Sequence, residues 1–272
     1  MNKRIVLLTG SELRHDFFRK FIASANNIDV ILSYCESIKN SIIELKNNEN
    51  KDYYLRRKHL ISREQVEKEF FEDFCKNIED KSNPIQIEKG MINSLSNVNN
   101  IIKSKPDLII SYGCSIIKSN LLDFYKGRFI NIHLGLSPYY RGSGTNFWPF
   151  VNNELQFIGT TFMYIDSGID TGKIIHQIRA NIVKGDDIHL IGNRLIKDSI
   201  HECIKLIEQF DDLKIMPQLA SKIQRLYKKK HFDEKSVKQA YINISKDIVG
   251  DYINNKKIID KSYPIITNKL FE

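Results

Sequence analysis

The residue types needed for acid–base chemistry are concentrated between Phe129 and Gly172. Asn131 and His133 stand two apart at the end of one apolar run, and Asp166 and Asp170 lie in a turn that follows a second. On a strand, residues i and i+2 share a face, so the Asn131 amide and the His133 imidazole can point together off one strand end. The next segment, Leu136-Ser-Pro-Tyr-Tyr-Arg-Gly142, cannot extend a central strand, because proline removes a ladder donor and glycine favours loop geometry. The pair is therefore expected where a strand opens into a loop, at the C-terminal sheet edge where α/β folds place ligands. A carboxylate beside the imidazole could orient it, hold it charged, or collect the proton lost by an attacking nucleophile. Asp170 is the candidate for that carboxylate. A lone histidine would read as structural; Asn131, the proline loop and the Ile169-Asp-Thr-Gly172 turn together give His133 a catalytic reading.

These residues resemble the signature of the folate-dependent formyltransferase family, which includes the glycinamide ribonucleotide, methionyl-tRNA and sugar N-formyltransferases. That signature is an Asn-x-His on a strand, a Leu-x-Pro-x-x-x-Gly loop, and an Asp in a Leu/Ile-Asp-x-Gly turn. The matching residues are Asn131, His133, Leu136 to Gly142, and Asp170; Ser137 departs from the leucine usual at its position. Asp107 to Lys118 is similar to the strand and loop that line the folate pocket, and the resemblance spans roughly the first two hundred residues. It implies a Rossmann-like, mainly parallel sheet flanked by helices, with a catalytic domain over 1–210 and a small helical C-terminal extension over 211–272.

The resemblance further implies 10-formyltetrahydrofolate as formyl donor, a primary amine as acceptor, and no metal. Asn131 and protonated His133 would stabilise the oxyanion, while Asp170 would keep His133 charged and assist proton removal. Ser115, Ile116 and Ile117 would meet the pterin mainly through backbone groups. Ile165 and Asp166 would close its other side, although Asp166 could equally cap the turn. The Tyr139-Tyr-Arg-Gly142 loop and the Thr161 to Asp170 pattern look most like the sugar N-formyltransferases, whose acceptors are nucleotide-linked amino sugars destined for surface polysaccharide or lipopolysaccharide. Tyr139 and Arg141 would then touch substrate. Ser11 and Arg14 stand where phosphate-binding members hold an anion at a helix N-terminus, with Glu12 opposing it. The alternatives are a methionyl-tRNA or glycinamide ribonucleotide formyltransferase, a hydrolase that releases formate, and a non-catalytic folate-binding protein.

Strands are expected at Ile5 to Leu8, Ile28 to Tyr34, Ile85 to Ile87, Leu108 to Tyr112, Phe129 to His133, Gly159 to Ile165 and Ile174 to Arg179. The last two can pair antiparallel across the Asp166 to Gly172 turn. Helical patterns follow Ser11, a plausible N-cap, and cover much of Glu36 to Asp80, Val98 to Lys103, Leu121 to Tyr125 and Ile188 to Phe210. Alternating βα units imply a mainly parallel sheet. After Asp212 the chain reads as an appendage on this domain, with a helix over 234–252 and a role in substrate recognition or homodimer contacts. Trp148, beside Pro149 and Phe150, reads as packing.

The formal net charge is +8 over 272 residues, but the lysines are dispersed, with local clusters only at 228–231 and 256–257. That is a solvated surface able to attract an anionic substrate, not a nucleic-acid face. Four widely spaced cysteines form no CxxC pair, which points to reduced thiols in the cytoplasm. The four-residue apolar run near the amino terminus is too short for a signal segment or a membrane span.

Overall fold

A computed structural model describes residues 2–37, 44 and 53–271. Seven strands form one sheet: β1 (Lys3–Gly10), β2 (Ile28–Glu36), β3 (Ile85–Ile87), β4 (Leu108–Tyr112), β5 (Phe129–His133), β7 (Gly159–Tyr164) and β8 (Ile174–Arg179). Their order is β3-β2-β1-β4-β5-β7-β8. The first five run parallel, and β7 and β8 pair antiparallel with β5 and with each other, as the turn between them allows. A parallel sheet covered on both faces needs apolar residues on both, and β1 meets that demand by alternation. Ile5 and Leu7 pack beneath α1 (Leu13–Ala23), α2 (Tyr54–Asn77) and α6 (Ile188–Glu208), through Phe18, Phe71 and Cys203. Val6 and Leu8 face α3 (Leu95–Ser104) and α4 (Ser119–Phe124), through Ile101 and Leu121.

Several expected boundaries shift for identifiable reasons. The N-cap of α1 is Glu12, not Ser11; its backbone N–H donates to Nδ1 of His15 at 3.2 Å, and its carboxylate pairs with Arg14 and Arg63. Of the charged stretch from Glu36 to Asp80, residues 54–77 are helical, whereas 38–43 and 45–52 lie outside the described residues. The helix expected over 234–252 is two helices, α7 (Glu234–Ser245) and α8 (Ile248–Ser262). They divide at Asp247, whose φ of +58° leaves the helical region while its carboxylate caps α8 by accepting from the Gly250 N–H at 3.1 Å.

The extension shares the core of the chain. Ala240, Ile248, Val249 and Tyr252 pack with Phe150 of α5 (Trp148–Asn152), Ile158, Ile191 and Leu195. It also contributes a strand with no period-2 pattern in the sequence. This strand, β9 (Arg225–Tyr227), pairs parallel with β6 (Tyr140–Gly142), inside the loop that follows the Asn-x-His strand. Arg225 anchors it on Glu154 through an Nη2 to Oε1 contact of 2.6 Å. Among the described residues no helix is long and apolar enough to cross a membrane, and no group of three or more His, Cys, Asp or Glu is arranged to hold a metal ion.

His59 of α2 and His189 of α6 are both buried, with ring centroids 4.7 Å apart, beneath Tyr241 of the extension. Burial, aided for His59 by the neighbouring His189 and Arg63, lowers it to about 3; burial outweighs Asp187 and lowers His189 to about 4. Both rings are neutral in the folded chain, so unfolding takes up protons once the pH drops below the ordinary histidine value of 6.5. Their contribution is complete above that value and is lost as the pH falls toward 4. At pH 5 the expected loss is on the order of 2 kcal/mol per ring. Thermal unfolding from pH 8 to 5 should show this decline, and His189→Asn should flatten it; an unchanged slope in the variant would assign the acid sensitivity elsewhere.

Candidate active site

Asn131 and His133 share the exit face of β5 because they are two residues apart on a regular strand. Asp170 reaches them from the turn between β7 and β8. Its Oδ1 accepts from Nδ2 of Asn131 at 3.4 Å, and its Oδ2 lies 3.4 Å from Nδ1 of His133. Both contacts are at the outer limit of a hydrogen bond, so neither donor is strongly committed to the carboxylate. The Gly142 N–H holds the same Oδ2 more closely, at 2.8 Å. His133 and the Asp170 side chain are 6% and 13% exposed, so the pair has been withdrawn from bulk water, where charge–dipole interactions strengthen.

Residues outside the Asn-x-His and Asp motifs supply the remaining constraints. Oγ of Ser111 on β4 donates to Oδ1 of Asn131 at 3.0 Å, which turns the amide N–H group toward Asp170. Ser111 lies opposite Asn131 in the parallel register, and a serine inside an apolar run was the available sequence clue. Nε2 of His133 stands 2.9 Å from the Tyr140 carbonyl oxygen, a contact that requires a hydrogen on that nitrogen. The edge of the ring facing Asp170 and Asn131 is therefore Nδ1. A backbone carbonyl leaves no mark in a sequence, so this contact is visible only in the fold.

Gly142 has φ +96°, and a Cβ there would meet the Tyr227 carbonyl oxygen across the β6–β9 pair. Gly142→Ala is expected to cost on the order of 2 kcal/mol of stability, from backbone strain and displacement of the loop. Because the Gly142 N–H also holds Asp170, turnover should fall together with the thermal midpoint. A variant with an unshifted midpoint would show that the loop tolerates the side chain.

The residues expected to line a pterin come from two loops. Ile117 and Ile165 meet in one apolar cluster with Cys114 and Phe129, while Ile116 is 76% exposed. The Ser115 N–H is already taken by Glu36 at 2.6 Å, and the Ile116 carbonyl accepts from Nδ2 of Asn93 at 3.0 Å. Burial alone would raise the carboxyl of Glu36, but the Lys89 ammonium and the Ser115 N–H outweigh it and hold it below its usual value. Glu36 is thus a buried anchor for the 113–117 loop. Asp166 accepts from the Gly168 N–H and the Thr171 hydroxyl at 3.0 and 2.7 Å, which stiffens the turn carrying Asp170.

The expected substrate contacts are distributed differently. Arg14 is engaged by Glu67 at 2.9 Å and by Glu12, so its charge is already matched by protein carboxylates; Ser11 precedes the N-cap of α1. Tyr139 is buried, stacks on Phe157 at 4.5 Å and donates its hydroxyl to the Pro264 carbonyl at 2.8 Å, which makes it a packing residue. Arg141 is partly exposed and its buried Nε has no hydrogen-bond partner. Trp148 packs flat on Tyr227 at 4.1 Å and donates to the Ser143 carbonyl.

The family model described as formyl transferase matches residues 88–206, a span that contains Asn131, His133 and Asp170. The methionyl-tRNA formyltransferase of Desulforamulus reducens is 34% identical over 110 residues, 39% of this chain and 34% of that protein. The match spans between a third and two fifths of the length of the curated relatives. Two solved structures share the fold: a sugar N-formyltransferase from a Shewanella species, with TM-score 0.57, 18% identity and 87% of each chain covered, and the phosphoribosylglycinamide formyltransferase of Streptococcus pneumoniae, with TM-score 0.51, 21% identity and 77% and 99% covered. Over residues 88–206, then, the Asn-x-His strand and the Asp170 turn that meets it are parts of a domain of the formyl transferase family.

Proposed function

We propose that this chain transfers a formyl group from 10-formyltetrahydrofolate to the primary amine of a nucleotide-linked amino sugar. The observation that carries the reaction is the convergence of the Asn131 amide and the Nδ1 edge of His133 on the Asp170 carboxylate. The donor supplies an activated formyl carbon. The exposed Ile116, with Ile117 and Ile165 joined in one cluster, offers the apolar surface that a pteridine needs. Asn131, oriented by Ser111, offers an N–H to the carbonyl oxygen as it gains charge, and His133 adds a second donor when its ring is protonated. The bond from amine nitrogen to formyl carbon forms as the bond to the folate nitrogen breaks. Asp170 accepts the proton that the amine loses, directly or through water, and the departing folate nitrogen takes one up.

For the acceptor, the support is the loop Tyr139 to Gly142 and the form of the extension. It includes β9, paired with β6, and α7 and α8, packed on the core, with Arg141 beside the site holding an unsatisfied N–H. A second reading, methionyl-tRNA as acceptor, is favoured by the names of the sequence relatives. A mass-spectrometric assay decides between them. The protein is incubated with 10-formyltetrahydrofolate and a panel of nucleotide-linked amino sugars, with Met-tRNA and glycinamide ribonucleotide as competing acceptors. One formyl group gained by a sugar, and abolished by His133→Ala, is the expected result. Formylation of Met-tRNA or glycinamide ribonucleotide alone would reassign the acceptor, and formate released without an acceptor product would mark a hydrolase.

A further inference from the structure

The turn that carries Asp170 is held from outside the catalytic core. Nε2 of Gln218, in the extension, donates to the carbonyl oxygens of Asp170 at 2.8 Å and Gly172 at 3.0 Å. Gln218 is itself placed by a backbone bridge two residues earlier, where Met216 and the first residue of β8, Ile174, exchange N–H to carbonyl bonds of 2.9 and 2.8 Å. Pro217 then limits the backbone freedom of the link. Asp170 has φ +52°, in the left-handed region that few non-glycine residues occupy and that aspartate enters more readily than most, so contacts from the rest of the chain help to fix the turn there. Asp166 stiffens the turn from within, and Gln218 ties its two carbonyls to the sheet edge.

We infer that Gln218 is a positioning residue for the reaction, fixing the Asp170 carboxylate between Asn131, His133 and Gly142, and that the extension is thereby a working part of the active site. The inference rests on the formyl-transfer reading for its kinetic test. It is supported by β9, which braces the other side of the same site: its pairing with β6 sets the Tyr140 carbonyl that holds Nε2 of His133 and the Gly142 N–H that holds Asp170. One contiguous stretch, 216–227, thus touches both loops between which the carboxylate and imidazole meet.

Gln218→Ala removes both donors, and Gln218→Glu keeps the size while exchanging the N–H group for a carboxylate oxygen. Each is expected to lower kcat about thirtyfold, with the KM for 10-formyltetrahydrofolate changed less than about threefold. If Gln218 acts through Asp170, adding Gln218→Ala to Asp170→Asn should lower the residual rate by less than about twofold. Full multiplicativity of the two changes, or wild-type kcat in both single variants, would overturn the proposal. Hydrogen exchange of the full chain gives a readout independent of acceptor: protection of the Gly142 amide should fall in Gln218→Ala, because its partner is the Asp170 carboxylate. Unchanged protection there would overturn the positioning role even if the wild-type chain formylated no acceptor, which keeps its failure separate from failure of the functional reading.

Discussion

Asp170→Asn is expected to lower turnover about a thousandfold, within the range for loss of a positioned acid–base group. The substitution preserves size, so its effect isolates charge and proton acceptance. In the native site one carboxylate serves three groups: the Gly142 N–H, Nδ1 of His133 and Nδ2 of Asn131. A side-chain amide has one accepting oxygen and one donor-only NH2 group, so satisfying Gly142 and His133 with the oxygen turns the NH2 group toward the Asn131 amide, donor against donor. The variant also removes the carboxylate to which the proposed reaction assigns the amine proton. With the Asp170 side chain 13% exposed and the turn still held by Asp166 and Gln218, the thermal midpoint should move by only a few degrees. Single-turnover formyl transfer measured by mass spectrometry reads the effect, and turnover within tenfold of wild type would exclude Asp170 as the proton acceptor.

What could be read from the sequence follows a physical divide. Strand and motif residues were legible because their logic is local. Period 2 places Asn131 and His133 on one face, proline and glycine end the strand, and buried runs such as Leu108 to Tyr112 announce a parallel sheet. The contacts that orient those residues are made by other parts of the chain. Tyr140 acts through a carbonyl, Gly142 through an N–H, and Gln218 from 48 residues beyond Asp170. The expected anion site at Ser11 and Arg14 illustrates the converse. A helix N-terminus with a nearby arginine is a sound local pattern, but tertiary packing places Glu67 and Glu12 against that guanidinium. The helix expected over 234–252 ran through Asp247 because aspartate is tolerated within helical patterns, while its use as a cap depends on the corner between α7 and α8.

Asn131→Ala and Ser111→Ala should separate making an oxyanion contact from aiming it. In the proposed reaction, removing the Asn131 amide deletes an oxyanion donor, a change that costs on the order of 3 kcal/mol in comparable acyl-transfer sites, or roughly two to three decades in kcat. Removing the Ser111 hydroxyl leaves that donor in place and deletes the 3.0 Å hydrogen bond to its oxygen, worth about 1 kcal/mol, together with the longer 3.3 Å contact to the Ile130 carbonyl. The amide can then rotate, and a fall of about fivefold in kcat is expected. The two losses should not multiply, because Ser111 has nothing to orient once the amide is gone, so the double variant should match Asn131→Ala within about twofold. Near-normal turnover in Asn131→Ala would remove the residue from the mechanism. A double variant slower by the full product would instead place Ser111 in a separate role, with β4 and β5 contributing independently to the site.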